Sequence, residues 1–407
     1  MKVWLLQANE PMPIVNEGQR LFRMGLIAEE LTKRNHEVTW FATTFNHFEK
    51  KQMYDKDTEI NVSDNYKLEL IWAPGYKKNI SIARIINHKY MGIHFRKMAK
   101  KLGKPDLIYC SFPTIDFAYE AIRYGKKNNV PVIIDVRDLW PDIFKHNLSR
   151  IKRIIALPYI KLMDIKTKKI MKEAFAINSI SEPMLNLELE KGKRLKSKYD
   201  RYFYIGYDRK EIENSNANNE IIDISKFNIS FFGTINNQFD YDKIIEIAKS
   251  LEELDDICIN ICGDGPQFED FKKKCENCSN IKLLGWVDRA TIDYILKNSK
   301  IGIAPYKDTF DFNMSVSNKF CEYISYGLPI VLASGGYMKE ILEEYDCGIS
   351  SNEICNIKDF VVKLKNDEKL YKKMSNNAVN LYEEKFVADK IYDDLVNYLE
   401  DIYEEEK

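Results

Sequence analysis

No run of apolar residues in this 407-residue chain approaches the roughly 18 that a membrane-spanning helix needs. Integral membrane functions are therefore not expected. Eight cysteines in a chain of this length make no disulfide framework. Cys275 and Cys278 form a C-x-x-C, with Cys258 and Cys262 upstream. The latter two fall in Ile257-Cys258-Ile259-Asn260-Ile261-Cys262, which reads as a central strand, so reduced thiols are expected in preference to a zinc site. There is no P-loop, no Ser/His/Asp triad with a nucleophile elbow and no convincing metal cluster. The G-x-G-x-x-G fingerprint with its acidic partner is missing, which disfavours a dehydrogenase. Nucleic-acid motifs, short repeats and low-complexity tracts are also missing.

What remains is a soluble globular composition, 45% hydrophobic and 12% aromatic, in a chain long enough for two domains. Apolar strands alternate with longer amphipathic segments, the pattern of a parallel α/β architecture. The first strands are expected at Val3–Gln7, Glu37–Ala42, Lys67–Ile71, Leu107–Ser111 and Pro131–Val136, with a helix from Gln19 to Lys33 after the first. The opening apolar run is too short for a signal peptide, and a cytoplasmic location is expected. A second set of strands starts at Asn228–Phe232 and continues at Ile257–Cys262, Ile281–Leu284, Ile301–Ala304 and Pro329–Ala333. The polar stretch Tyr207–Asp223 reads as the linker. Domains are placed at 1–205 and 206–385, with a last amphipathic helix, about 386–407, free to pack on either.

The net charge of −1 hides an asymmetry. Residues 1–200 hold 36 Lys and Arg against 23 Asp and Glu (+13), and residues 201–407 hold 25 against 39 (−14). Lys77 to Lys104 contains nine Lys and Arg and no acid, with apolar Ile82, Ile85, Ile86, Tyr90, Ile93, Phe95 and Met98 interleaved. Arg150 to Lys172 contains eight basic residues and one acid. Such segments suit an anionic membrane surface first, a plain solvated helix face second, and a nucleic acid, for which no motif is present, last.

Chemistry concentrates in Ser317-Asn318-Lys319-Phe320-Cys321-Glu322-Tyr323. A short helix there puts Lys319 and Glu322 on one face, a cation and a carboxylate that suit a phosphorylated, polyhydroxylated ligand. Gly18 before the first helix, Gly233-Thr234 after one strand, Gly263-Asp264-Gly265-Pro266 after another and Gly335-Gly336 after a third let backbone come close to such a ligand. Asp135-Val136-Arg137-Asp138-Leu139-Trp140-Pro141-Asp142 ends the fifth strand, at the sheet edge where open α/β folds bind ligands. There Asp138 can take an acceptor proton, Arg137 can meet a phosphate and Trp140 can stack on a sugar. His36 reads as a turn residue.

In this order, Glu17-Gly18, Asn35-His36-Glu37-Val38, Arg137 to Asp142, Ser179 to Glu182, Gly206-Tyr207-Asp208, Phe232-Gly233-Thr234, Gly263 to Pro266, Gly285-Trp286-Val287 and Ser317 to Tyr323 resemble the retaining glycosyltransferases of family 4. The resemblance runs over most of the chain, and it is nearest the bacterial branch that builds O-antigen, capsule and other surface glycans. It implies the GT-B fold, two Rossmann-like parallel-sheet domains facing a central cleft, and transfer without metal or cofactor. The co-substrate is a nucleotide-diphosphate sugar, UDP-linked by expectation. The implied acceptor is a glycan or a polyprenyl-diphosphate-linked sugar at the anionic inner leaflet, placing the protein in the cytoplasm on the membrane's inner face.

Residue by residue, Glu322 matches the second glutamate of the family's E-x7-E motif, which binds the donor ribose. Met314 stands where the motif has its first glutamate, so contacts to the donor sugar differ here. The usual Arg and Lys after Gly233 are replaced by Thr234 and Phe239 nearby, leaving Lys319 and the amides of Ser315–Ser317 to hold the diphosphate. Gly18, Gly233, Thr234, Gly263, Asp264 and Gly335 are expected near the donor, and Arg137, Asp138 and Trp140 near sugar or acceptor. Two other readings stay open: a sugar-nucleotide epimerase of the same fold, and a non-catalytic nucleotide-sugar-binding partner of another transferase.

Overall fold

A computed structural model describes residues 1–14, 21–79, 81–209 and 221–407. The chain divides into two units, Met1–Ile205 with Asp389–Lys407, and Gly206–Ala388.

In the first unit the strands are β1 (Lys2–Leu6), β2 (Glu37–Thr43), the small hairpin β3 (Phe45–Asn46) and β4 (Lys51–Gln52), β5 (Thr58–Ser63), β6 (Tyr66–Ile71), β7 (Leu107–Phe112), β8 (Val132–Val136), β9 (Ala176–Ser179) and β10 (Arg201–Tyr202). Eight of them form a sheet ordered β10-β9-β8-β7-β1-β2-β6-β5, parallel except where β5 runs antiparallel to β6. Helices cover both faces of a parallel sheet, so its inner strands are apolar throughout. Val3 to Leu6 and all of β7 and β8 are buried. Trp4 anchors this core, its ring 5.1 Å from Phe41 and 6.2 Å from Phe95 in edge-to-face contacts. The strand order reverses between β1 and β7, and that point marks the carboxyl-edge crevice of an open α/β sheet.

The helix Ala388–Glu405 belongs almost wholly to this first unit. Arg34 donates to Asn397 and, at 2.8 Å, to Glu400, and also pairs with Asp393. His36 Nε2 lies 2.6 Å from Glu400 Oε1, and Tyr398 Oη donates to the Tyr199 carbonyl at 2.8 Å. His36 is therefore an anchor for the last helix.

The second unit holds β11 (Phe227–Phe232), β12 (Ile257–Cys262), β13 (Ile281–Gly285), β14 (Ile301–Ala304), β15 (Ile330–Leu332) and β16 (Gly348–Ser350). They form an all-parallel sheet ordered β13-β12-β11-β14-β15-β16. This is a doubly wound order whose switch point lies between β11 and β14. Tyr323 fixes the helix Asn318–Ser325 over that point by donating to the carbonyls of Ser230 and Ile303. The expected linker, Tyr207–Asp223, lies mostly outside the described residues. Tyr207 is 3% exposed and donates its amide to Phe386, and residues 210–220 lie outside the described ones.

Candidate active site

At the switch point of the second unit, β11 runs into Gly233 and β12 into Gly263, with φ of 133° and 151°. Both angles are strained for any residue with a Cβ. Space forbids one as well: a Cβ on Gly263 would collide with the Gly233 carbonyl, and one on Gly233 with Lys319 Nζ. The two turns are tied by amides, Gly233 to Cys262 at 2.8 Å, Gly263 to Gly285 at 2.6 Å and Ile235 to Asp264 at 3.0 Å. Thr234 and Asp264 are exposed beside them.

Ser317 caps the helix Asn318–Ser325 by accepting from the Phe320 amide at 3.2 Å. That cap fixes Lys319 in the first turn, against Gly233. The ammonium lies 4.6 Å from the ring centre of Phe239 and 5.5 Å from those of Phe231 and Phe232, and it forms no ion pair among the described residues. Burial pushes the Lys319 amine down to about 8, only partly opposed by Glu322. An ammonium held by ring faces and by no carboxylate is suited to an incoming anion.

One turn on, Glu322 is 6% exposed. Its Oε1 accepts from Tyr207 Oη at 2.8 Å and from Arg289, while Oε2 has no partner among the described residues. Arg289 also donates to Tyr207 Oη. Burial first, then Glu322, raises the Tyr207 phenol, so it stays a donor at any working pH. Sequence reasoning missed Arg289. Its only signal is Asp288, which caps the helix Arg289–Lys297 by accepting from Thr291 and so sets the arginine at its first position.

Met314 closes a 3-10 turn, Phe312–Met314, in the loop after β14. In and after this loop Thr309 Oγ1, Asp311 Oδ1, Asn313 Oδ1 and Ser334 Oγ are buried with no partner among the described residues. Gly336, at φ 76°, packs against Asn313, and nothing lies within 4 Å of the Cβ position of Gly335. Buried polar atoms without partners are uncommon, and three of these four fall within five residues of one another, Thr309 to Asn313.

In the first unit the acidic cluster after β8 separates into different tasks. Asp135 is fully buried and takes both Nε and Nη2 of Arg23 at 3.1 Å, plus Nε of Arg137 at 2.7 Å. Arg137 also pairs with Glu10, which leaves only its buried Nη2 without a partner. The phosphate role expected for Arg137 therefore has one nitrogen to offer. Asp142 pairs with Lys145 at 2.6 Å and Lys191 at 2.7 Å. Asp138 alone of the three carboxylates is exposed. Trp140 is half-buried, packing on Phe144 at 4.6 Å and under the guanidinium of Arg84 at 4.9 Å. Gly18 lies outside the described residues. Among the described residues no group of three His, Cys, Asp or Glu is placed to hold a metal ion.

The structure superposes over nearly its whole length on several solved structures. Sucrose-phosphate synthase from Thermosynechococcus elongatus matches with TM-score 0.68 at 11% identity, covering 99% of each chain. Alr3699/HepE of Anabaena, solved with UDP, matches with TM-score 0.65 at 13% identity, over 98% of this chain and 99% of that one. The fold is GT-B. WaaG, a glycosyltransferase involved in lipopolysaccharide biosynthesis, shares the GT-B fold with TM-score 0.60 at 12% identity, over 97% and 99%. A model of the family "Glycosyl transferases group 1" matches residues 213–381, within the GT-B second unit that carries Lys319 and Glu322. No curated protein matches the sequence.

Proposed function

We propose that the protein is a retaining glycosyltransferase of the family 4 type, which moves a sugar from a UDP-linked donor to a glycan or polyprenyl-diphosphate-linked acceptor in surface-polysaccharide synthesis. The observation that carries this reading is the pairing, at one switch point, of a Lys319 ammonium without an ion pair among the described residues and Glu322, whose Oε1 is held by Tyr207 and Arg289. The group 1 match over residues 213–381 and the UDP-glucose complex of HepE support it.

In this reading Glu322 Oε2 accepts from the donor ribose, and Arg289 and Tyr207 hold Oε1 so that the carboxylate cannot swing away. Lys319, Gly233 and the amides at Ser315–Ser317 receive the diphosphate. As the bond to the sugar breaks, negative charge grows on that diphosphate, and a preset ammonium stabilises the charge where it develops. The acceptor hydroxyl attacks from the face the diphosphate leaves, and the leaving phosphate takes its proton, so the anomeric configuration is kept. The buried polar atoms of Thr309, Asp311, Asn313 and Ser334 take sugar hydroxyls in place of the glutamate that Met314 replaces. Asp138 and Trp140 serve the acceptor side. Neither metal nor cofactor enters the scheme.

Incubation with UDP-sugars and no acceptor is expected to release UDP slowly. Glu322→Gln keeps the shape but trades a charged acceptor for a neutral one, worth about 1.5 kcal/mol. UDP affinity by calorimetry should fall roughly tenfold, with the unfolding temperature little changed. Undiminished UDP release by Glu322→Ala would sink the assignment.

The basic face of the first unit is assigned to the anionic inner leaflet. No helix among the described residues is long and apolar enough to cross a membrane. On the helix Ile82–Met98 and just beyond it, Arg96, Lys97, Lys100 and Lys101 are exposed. Reversing all four to Glu is expected to weaken binding to phosphatidylglycerol vesicles by more than about tenfold, since each such charge contributes on the order of 1 kcal/mol. Unchanged co-sedimentation would refute the surface role.

A further inference from the structure

Within the first unit, a cavity of about 350 Å³ opens between the helices Ile82–Met98 and Arg150–Glu173. Its walls are apolar, with Ile85, Trp140, Phe144, Leu148, Ile160 and Met163 among them. A volume of this size holds a ligand body, not a few waters.

Two polar side chains break the apolar wall. Arg84 donates once, to the Asn79 carbonyl at 3.0 Å. Its Nε is buried without a partner, and it makes no ion pair among the described residues. His88 is 5% exposed, and its Nε2 likewise has no partner. Burial, with Arg84 and His47 nearby, pushes His88 down to about 3, so the ring is neutral and one nitrogen is free to hydrogen-bond. Asp138 lies close enough to act on the Arg84 charge, and the guanidinium stacks over the rings of Tyr76 and Trp140. Its desolvated Nε at the wall of an apolar cavity still favours a ligand that is anionic at one end and apolar along its length.

The exposed residues of the two helices point the same way, with Ile82 and Ile155 lining the cavity itself. Ile82 and Ile86 on one helix and Ile151, Ile154, Ile155 and Leu157 on the other are exposed, Ile82 and Ile155 by about three quarters of their surface. The same two helices carry exposed Lys89, Arg150, Lys152, Arg153 and Lys161. Exposed isoleucines and basic residues on the two helices that wall the cavity match an anionic lipid surface in both apolarity and charge.

We propose that this cavity takes one hydrocarbon chain of a phosphate-bearing lipid, with Arg84 and His88 meeting the phosphate. The proposal rests on the reading of the first unit as the lipid-facing, acceptor-side one, and it names which part of the lipid is held and where. A chain drawn from the bilayer would leave its phosphate beside Trp140, two residues from Asp138.

Calorimetry with decyl and hexyl phosphate, each below its micellar range, tests this without donor or transfer. Decyl phosphate should bind saturably and at least about tenfold more tightly than hexyl phosphate, because each added methylene gains affinity in an apolar pocket. Ala156→Phe, which fills the cavity from a half-buried position, should weaken decyl phosphate about tenfold or more. Arg84→Gln should weaken decyl phosphate while leaving decanol unaffected. Equal binding of the two chain lengths would overturn the proposal, as would Ala156→Phe binding like the native chain. Competition by inorganic phosphate at equal concentration would also overturn it, making the site one for a free anion. If chain binding fails while Glu322-dependent UDP release persists, only the cavity assignment falls. If the chain binds and no UDP is released, the transferase reading falls instead.

Discussion

Lys319→Met is expected to lower sugar transfer by about 10²–10³-fold, the usual cost of removing one preset charge or donor from a developing oxyanion. The fold should survive. Lys319 makes no ion pair among the described residues, and methionine fills the space between the rings of Phe231, Phe232 and Phe239. The substitution should even stabilise the second unit. Burial brings the amine down to about 8 from its ordinary 10.5, so the folded state penalises the charged form. Between pH 8 and 10.5 the unfolded chain binds more protons at this site than the folded one, and stability rises with pH in that window. Below pH 8 the penalty is fully present. The three ring faces offset part of it, and removing the charge should gain on the order of 1 kcal/mol at pH 7.

The same amine predicts a pH dependence of binding. A diphosphate binds the ammonium form, and the free site loses that form above pH 8. UDP affinity should therefore fall about tenfold between pH 7 and pH 9. Lys319→Arg should flatten that slope, because a guanidinium stays charged throughout. Calorimetric titration across this range, with thermal unfolding of each variant, checks both arms. A flat native profile would show that Lys319 does not meet the phosphates.

The second large effect is structural. Asp135→Ala should cost about 3–5 kcal/mol, because it strips the fully buried Arg23 of its two-pronged partner and Arg137 of one of two. Arg23 keeps only the carbonyls of Phe203 and Tyr204, at 3.1 and 3.0 Å. For a unit of this size the loss corresponds to a melting temperature lower by roughly 10 °C or more. Adding Arg23→Met should recover part of it, since a buried charge without a partner is worse than no charge. A double variant no more stable than Asp135→Ala would contradict the buried-pair account.

Much of the fold was legible because inner parallel strands are continuous apolar runs. β1, β7, β11 and β12 announce themselves in this way. β5 escaped because Thr58–Ser63 is an edge strand, mostly polar and exposed. β9 escaped because Ala176-Ile177-Asn178-Ser179 is buried yet half polar, and only the fold supplies partners such as Asp200, which accepts from the Ile177 amide at 2.8 Å. In the candidate site, glycines at strand ends and the Lys319–Glu322 spacing were readable because both are local. What Glu322 does with its first oxygen was not, since Tyr207 and Arg289 lie 115 and 33 residues away. The cluster after β8 looked like one site, and packing divides it. Asp135 and Asp142 are drawn into ion pairs by Arg23, Lys145 and Lys191, leaving Asp138 on the surface.

The helix Ala388–Glu405 joins the first unit although the whole second unit precedes it in the chain. During synthesis Arg34 and His36 leave the ribosome long before Asp393 and Glu400 exist. The second unit is complete, its entry and exit strands already bridged by the amides of Tyr207 and Ala388, while the first still lacks its closing helix. The part of the protein that begins first is finished last. Until then the surface around Arg34, His36 and Tyr199 stands uncovered by the helix that will pack there.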